Sequence, residues 1–280
     1  SAGVVAGIIM GTLVGGSSTV GTAQLAYSFG MSAWWFTLGG GIGCLVLALV
    51  YAAPMRAEHV PTVVGILRKE YGESVGLAAS LLNTLGTFIN IIAQLLAASA
   101  VVVLVAPNMS TQLTIIIPAI VMVLYVVFGG TKGAGMVGIL KLALLYVAMI
   151  GSGVMVLKMT GGLGGFTDMV HGIDNPDGVN FFSLFARGAG TDLGAGVSLL
   201  LGVLTTQTYA QAVLSAKTAT DARAGALAST FLIPPIGIGG ILVGLYMRAN
   251  YPTIAAKTAL TGVKFVSAPT VTRPNFGEEA

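Results

Sequence analysis

The sequence GTLVGGSSTVGTAQLAYSFG, which runs from Gly11 to Gly30, is the most informative stretch of this chain for its fold. It lies inside an apolar run long enough to cross a bilayer, but small and hydroxyl residues fill its centre. Irregular backbone at membrane depth is tolerated only where it is buried in protein or lines a cavity. The stretch therefore predicts a membrane helix that is broken near Gly15 and carries a binding site at the break. The hydroxyls available to the freed backbone or to a ligand belong to Ser17, Ser18 and Thr19.

Helix packing is a second explanation of the same glycines. Gly7, Gly11 and Gly15 recur every four residues and form a ridge of small residues, which allows two membrane helices to approach closely. Both explanations stay open. The hydroxyls that cluster beyond the ridge favour the binding site.

The composition is that of a helical membrane protein. Charged residues make up 8% of the 280 residues and the mean hydropathy is +0.91, whereas about a quarter of a soluble domain is charged. The net charge of +3 gives no electrostatic footprint for nucleic acid. The predicted fold class is therefore all-α, a polytopic helical membrane protein in a lipid bilayer.

Seven apolar segments are predicted to cross the membrane. They are Ala2–Tyr27, Ser32–Ala53, Val75–Val105, Leu113–Phe128, Val137–Met159, Leu193–Tyr209 and Ala224–Met247. Between the second and the third, Pro54–Gly72 carries valine and leucine at helical spacing, which predicts an amphipathic helix at the membrane interface.

Lysine and arginine are distributed unequally between the two sides. If the first segment runs outward, the cytoplasmic loops hold six of them and the external loops before the last segment hold two. This orientation places Pro54–Gly72 in the cytoplasm and the turn-rich stretch Gly161–Gly190 outside, as a loop. We expect one transmembrane domain over residues 1–250 and an external loop or tail over residues 251–280. Because Ser1 begins directly inside an apolar segment, we also expect a longer parent protein.

A polar stripe runs along the third segment at helical spacing. Its members are Asn83, Thr87, Asn90 and Gln94. Amides are costly in hydrocarbon unless they are paired, so the stripe is expected to face protein or water. It either lines a pathway or forms hydrogen bonds between helices, and the alignment of four residues favours a pathway.

Lys141 is a formal charge well inside a predicted segment. An ionisable residue at membrane depth indicates function by default, although a lysine near a helix end can extend to the interface.

A second polar cluster, at the end of the sixth segment, contains Thr205, Thr206 and Gln207. If it shares a cavity with the first break, its uncharged groups would bind a small polar solute or a hard cation such as Na⁺, which prefers oxygen ligands. The sequence contains no catalytic motif and predicts no enzyme, no cofactor and no metal site beyond Na⁺.

Several motifs resemble those of the sodium:solute symporter family. Gly11–Gly30 with its exit Met31–Trp35 is similar to the family's unwound first core helix. Phe128–Gly133 resembles the Gly-Gly turn into the fifth core helix, and Gln211–Ala228 resembles the linker between the sixth and the seventh.

This resemblance implies a LeuT-like inverted-repeat fold with Na⁺ and solute near the midplane. The implied cation ligands are the backbone carbonyls of Gly11 and Val14. In the fifth core helix the family's Thr-Asp falls on Val137 and Gly138, and its Gln falls on Lys141. The lost carboxylate and the gained lysine raise the possibility that an ammonium replaces a bound cation and that coupling is to protons.

The resemblance covers core helices one to seven. The eighth helix, which donates hydroxyls to the family's sodium site, is therefore expected in the rest of a longer protein or in a second chain.

The predicted function is secondary active symport of a small polar or carboxylate solute, coupled to Na⁺, by alternating access in a bacterial inner (plasma) membrane. The predicted cation site comprises Gly11, Val14, Ser17 and Ser18. The predicted substrate pathway comprises Ser18, Thr19, Asn83, Thr87, Asn90, Gln94, Thr205, Thr206 and Gln207. The alternatives are a proton-coupled transporter that uses Lys141, and a symporter-like sensory or structural membrane subunit.

Overall fold

The computed structural model describes residues 1–58, 60–106, 108–174 and 178–252. Within these residues the chain is helical and contains no strand. The helices are α1 Ala2–Leu13, α2 Gly16–Phe29, α3 Trp35–Val46, α4 Ala52–Ala57, α5 Val63–Tyr71, α6 Glu73–Val105, α7 Thr111–Met159, α8 Leu163–His171, α9 Ala189–Thr205, α10 Gln207–Leu214 and α11 Ala219–Asn250. A 3₁₀ turn, Gly30–Trp34, joins α2 to α3, and a π-helical turn, Leu47–Tyr51, joins α3 to α4.

The prediction of a polytopic helical membrane protein is confirmed. Four helical stretches in the described part of the chain are long and apolar enough to cross a membrane, and the bent pair α9–α10 would make a fifth. These four are Ser18–Ala57, Glu73–Val103, Val137–Met159 and Ala219–Asn250. The predicted interfacial helix corresponds to α5, which Thr62 caps by accepting a hydrogen bond from Gly65 N–H.

The predicted fifth segment, Val137–Met159, coincides with one of these candidate spans, but two boundary predictions are wrong. The fourth and fifth predicted segments form one helix, α7, of 49 residues, about 74 Å at 1.5 Å per residue. Glycine costs only about 1 kcal/mol in a helix, so Phe128–Gly133 continues the helix that its flanking apolar residues favour. The stretch Gly161–Gly190, predicted as a loop, contains α8, whose Phe166 and Val170 are buried. The expected tail from residue 253 onward lies outside the described residues.

α11 is the central helix of the bundle. It packs against α1, α2, α3 and α7. Its Gly225 lies against Val5, and its Gly244 lies against Ala26. The helix runs through Pro234 and Pro235.

Two aromatic side chains donate hydrogen bonds to backbone carbonyls beside this proline pair. The Trp34 indole donates to the Pro234 carbonyl at 2.9 Å, and the Tyr146 hydroxyl donates to the Leu232 carbonyl. Proline lacks the N–H that would bond the carbonyl four residues earlier, so this pair leaves the carbonyls of Thr230 and Phe231 without a helical donor. The two aromatic side chains bond other carbonyls of the same stretch and fix α11 to the turn before α3 and to α7 there.

The apolar core consists of two clusters. One joins α1, α9, α10 and α11 through Ile9, Val203, Val213 and Ile233, all of them buried. The other joins α2, α8 and the far end of α11. By contrast, α6 and much of α7 expose large apolar side chains, such as Leu82 with 71% of its surface accessible. Such a surface is expected of helices in contact with lipid or with further membrane helices.

The closest helix contact relevant to the site is between α1 and α7. A Cβ atom on Gly138 would collide with the Gly7 carbonyl oxygen and would lie 2.9 Å from its carbonyl carbon. A Cβ atom on Gly11 would lie 2.9 Å from the Gly138 Cα. The close packing predicted from the glycine ridge is therefore confirmed for Gly7 and Gly11.

We predict that Gly138→Ala destabilises the protein, because overpacking a tight contact costs about 1–3 kcal/mol. The melting temperature of the purified protein in detergent should fall. The control is Gly151→Ala in the same helix, where an added Cβ would meet no atom within 4 Å. Its melting temperature should stay the same or rise, since alanine is the better helix former. Equal effects of the two variants would contradict the contact.

Candidate functional site

The first helix breaks where the sequence predicts. α1 ends at Leu13 and α2 begins at Gly16. Val14 (φ −91°, ψ 95°) and Gly15 (φ −131°, ψ −163°) are both extended. Val14 is only 1% exposed, so this irregular backbone is enclosed by protein.

Hydroxyls next to the break satisfy part of its backbone. Gly15 N–H donates to Ser18 Oγ at 2.7 Å, and the Ser18 hydroxyl lies 3.0 Å from the Gly15 carbonyl oxygen. The Thr19 hydroxyl donates to the same carbonyl at 2.9 Å. Ser18 is fully buried and acts as a cap of α2. The side chain of Ser17 lies outside the described part, and the cation and solute contacts of Ser17, Ser18 and Thr19 stay predictions.

Lys141 extends from α7 to the break. Its Nζ atom donates to the Gly11 carbonyl oxygen at 2.9 Å. This carbonyl is in the last turn of α1, where the helix offers no N–H. Among the described residues, no carboxylate forms an ion pair with Lys141. The ammonium thus makes its contact at one of the two carbonyls that the resemblance implies for a cation.

The surroundings of Lys141 are apolar. A groove of about 380 Å³ runs along α7 beside it. Its other lining residues are Val137, Leu140, Leu144, Leu145 and Ala148. In such a low-dielectric environment a charge–dipole hydrogen bond is stronger than in water.

The carbonyl of Val14 differs from that of Gly11. We find no donor to it among the described residues. The two carbonyls that the resemblance assigns to a cation are therefore not equivalent, since Lys141 already binds one of them.

The polar stripe of α6 meets the break at one end. A Cβ atom on Gly15 would lie 2.7 Å from Gln94 Oε1, so the Gln94 amide packs directly on the broken backbone. Gln94 Nε2 lies 3.4 Å from Asn90 Oδ1, and Thr87 Oγ1 lies 3.4 Å from Asn83 Oδ1. The stripe thus forms two hydrogen-bonded pairs within α6, and only Gln94 contacts the break.

A second break separates α9 from α10. The axes of these helices differ by 47°, and Thr206 between them is extended (φ −77°, ψ 129°). The Thr205 hydroxyl donates to the Leu201 carbonyl at 2.8 Å. α10 packs against α1, and Val14 shares a core cluster with Val203 and Ala210 from the two sides of this second break. The structure therefore brings the two broken helices together.

The Gln207 amide is directed at the start of α5. Its Oε1 accepts a hydrogen bond from Val63 N–H at 2.9 Å, and its Nε2 lies 3.4 Å from the Pro61 carbonyl oxygen. Thr205, Thr206 and Gln207 are consecutive residues at the second break. Their role in lining a substrate pathway stays a prediction.

The sequence interpretation missed an ion pair at the start of α9. Arg187 Nε lies 2.6 Å from Asp192 Oδ1, and Asp192 Oδ2 accepts from Arg187 N–H at 3.1 Å. Asp192 is fully buried. An aspartate in the first turn of a helix that follows a glycine was the available signal.

Among the described residues outside the spans, one side chain, that of Lys69, has a shifted pKa. Lys69 Nζ in α5 lies 2.7 Å from Glu58 Oε2, and this hydrogen bond raises the pKa of Lys69. The contact ties α5 to the residue that follows α4.

These features define a multi-pass helical membrane protein with two interrupted helices in contact, an arrangement typical of secondary transporters. The sodium:solute symporter family matches residues 2–268. The chain belongs to this family, whose members are transporters and not enzymes.

One similar protein is the uncharacterized symporter YwcA of Bacillus subtilis (strain 168). It is 26% identical over 155 residues, which are 55% of this chain and 30% of that protein. The chain thus aligns with less than a third of the length of this relative.

We predict that Ser18→Ala destabilises the first break, because it leaves the buried Gly15 N–H without its acceptor. Loss of such a cap costs about 0.5–2 kcal/mol. The melting temperature should fall, and hydrogen exchange at the Gly15 amide should become faster.

The control is Ser152→Ala in α7, whose hydroxyl bonds only to the Met149 carbonyl within its own helix. Its melting temperature should change little. An unchanged exchange rate at Gly15 in Ser18→Ala would show that the cap does not hold the break.

Proposed function

We propose that this chain forms a transporter domain, over residues 1–250, of a cation-coupled symporter for a small polar or carboxylate solute, with Na⁺ as the coupling ion. The proposal includes a LeuT-like arrangement and a location in a bacterial inner (plasma) membrane, on the basis of the family and of the bacterial relative. Its main support is the contact between the two broken helices, α1–α2 and α9–α10.

The proposed mechanism is alternating access, and the geometry of the two breaks supports it. A break supplies a hinge, and the short helix α1, which precedes the first break, packs against the short helix α10, which follows the second. They can therefore move as one unit about Gly15 and Thr206. A cation and a solute that both favour the closed conformation raise each other's affinity through it.

The broken backbone offers ligands of two kinds. The Val14 carbonyl oxygen suits a hard cation. The N-terminal end of α2 carries a partial positive charge, which suits a solute carboxylate. The Gln94 amide beside Gly15 adds a neutral donor and acceptor for a polar solute.

The first test is solute uptake by the full-length protein in proteoliposomes. Na⁺ is replaced by K⁺ at fixed pH, and a proton gradient is then imposed without Na⁺, for a panel of carboxylates, amino acids and sugars. We expect uptake of at least one solute to require a cation gradient. Uptake that needs neither gradient would contradict symport, and no uptake of any solute would favour the sensory or structural subunit.

Proton coupling through Lys141 is the second candidate. The observation that favours it is the 2.9 Å contact between Lys141 Nζ and the Gly11 carbonyl oxygen. An ammonium and a Na⁺ ion cannot both use this oxygen in the same way. Protonation of Lys141 would therefore take the place of cation binding at the Gly11 carbonyl oxygen.

On this candidate, Lys141→Gln should remove the dependence of uptake on pH and lower proton-driven uptake about tenfold or more, since a hydrogen bond to a charged group contributes about 1.5–3 kcal/mol. The measurement is initial uptake rate between pH 5.5 and 8.5, values chosen to bracket physiological pH at about 7. The matched control is Lys158→Gln, at the exposed end of the same helix. An unchanged pH profile in Lys141→Gln would leave Na⁺ as the coupling ion.

A further inference from the structure

The Gln207 side chain connects two segments that are far apart in the sequence. Its carbonyl oxygen accepts from Val63 N–H at 2.9 Å and its nitrogen lies 3.4 Å from the Pro61 carbonyl oxygen. We call this pair of contacts the Gln207 clamp. Both ends of one amide thus bind the backbone of the turn that begins α5.

The Val63 N–H is one of the first N–H groups of α5 and has no partner within that helix. Thr62 caps Gly65 N–H, so a second acceptor is needed at Val63. Gln207 supplies it and also donates to the carbonyl two residues earlier. A side chain with only a donor or only an acceptor could make one of these contacts and not both.

Because Gln207 lies at the second break, the clamp can affect the angle between α9 and α10. Gln207 is the first residue of α10, directly after the extended Thr206. α10 packs against α1, so a change in the angle at the break moves both helices relative to α5.

α5 has contacts to a different part of the bundle. It packs along α6, where Arg68 Nε lies 3.1 Å from Glu73 Oε2 and the Arg68 side chain covers Gly76. A further hydrogen bond connects α4 to the segment that follows α10, because Arg56 Nε donates to the Ala216 carbonyl at 2.8 Å. The clamp therefore spans from the α1–α10 unit to the α5–α6 side of the bundle.

We propose that the Gln207 clamp holds α10 against α5 and keeps this side of the pathway closed, which makes Gln207 a positioning residue that sets the balance between the two access states. The inference rests on the proposed symport function. When α1 and α10 move during the cycle, the clamp opens and the Val63 N–H loses its acceptor. Loss of the clamp shifts the population toward the state open on the α5 side.

The experiment compares Gln207→Ala with Gln211→Ala in the full-length protein. Gln211 lies one turn later on the same helix and is exposed. With α5 on the cytoplasmic side, Gln207→Ala should raise the KM for external solute about tenfold, because two lost hydrogen bonds contribute roughly a factor of ten and the apparent affinity scales with the competent population. Gln211→Ala should leave KM unchanged.

Hydrogen exchange gives a readout that does not need transport. The Val63 amide should exchange faster in Gln207→Ala and at the wild-type rate in Gln211→Ala. Gln207→Glu keeps an acceptor at the N-terminus of α5, so its exchange rate should lie near that of the wild type.

The outcomes separate the two proposals. Faster exchange at Val63 with an unchanged KM would overturn the gating role and leave the clamp as a structural contact. Unchanged exchange at Val63 would overturn the clamp itself. If the wild type transports no solute, the proposed function fails, and faster exchange at Val63, α1 and α10 in Gln207→Ala would still support the clamp.

Discussion

Backbone groups that leave a helix inside an apolar layer are costly unless they find other partners, and side chains supply such partners at the first break and at the start of α5. At the first break a serine on the next turn binds Gly15 N–H, and a lysine from another helix binds the Gly11 carbonyl. Gln207, at the second break, accepts from Val63 N–H, which has no partner within α5. The partners are thus different at each place. A local hydroxyl moves with its helix, whereas a partner on another helix can be exchanged when that helix moves.

The contact between α1 and α7 shows how two departures from the family pattern belong together. The resemblance implies that the family's Asp falls on Gly138, and a Cβ atom at this position would collide with the Gly7 carbonyl oxygen. A carboxylate has no room there. The same closeness brings Lys141, one turn later, within 2.9 Å of Gly11. Gly138 thus allows α1 and α7 to approach closely, and Lys141 contacts α1 at the same place.

The break near Gly15 could be predicted from the sequence because its signal is local. Glycines and hydroxyls interrupt an apolar run, and Ser18 lies three residues from the N–H that it caps. The polar stripe on α6 could likewise be predicted from the spacing of its residues. Its contact with Gly15 was not, because spacing defines one face of a helix and not the neighbour of that face.

The features that the sequence did not predict depend on distant partners or on balanced local preferences. Gln207 and Val63 are 144 residues apart, and nothing in either segment indicates the other. At Phe128–Gly133 the glycines indicated a turn, but the apolar residues on both sides favour a helix. Glycine permits either result at a cost of about 1 kcal/mol, so the preference of the flanking residues is enough to continue the helix.

The amide of Gln207 has no ionisable proton and no net charge, and this sets it apart from Lys141. A membrane potential acts on a group only through the charge that the group carries across the field, about 2.3 kcal/mol per elementary charge for each 100 mV. The clamp can open and close without moving charge, so voltage does not act on it directly. A displacement of Lys141 moves one elementary charge when the side chain is protonated. If coupling is to protons through Lys141, the membrane potential would therefore act at the contact with Gly11, whereas it would not act directly on the proposed contact between Gln207 and α5.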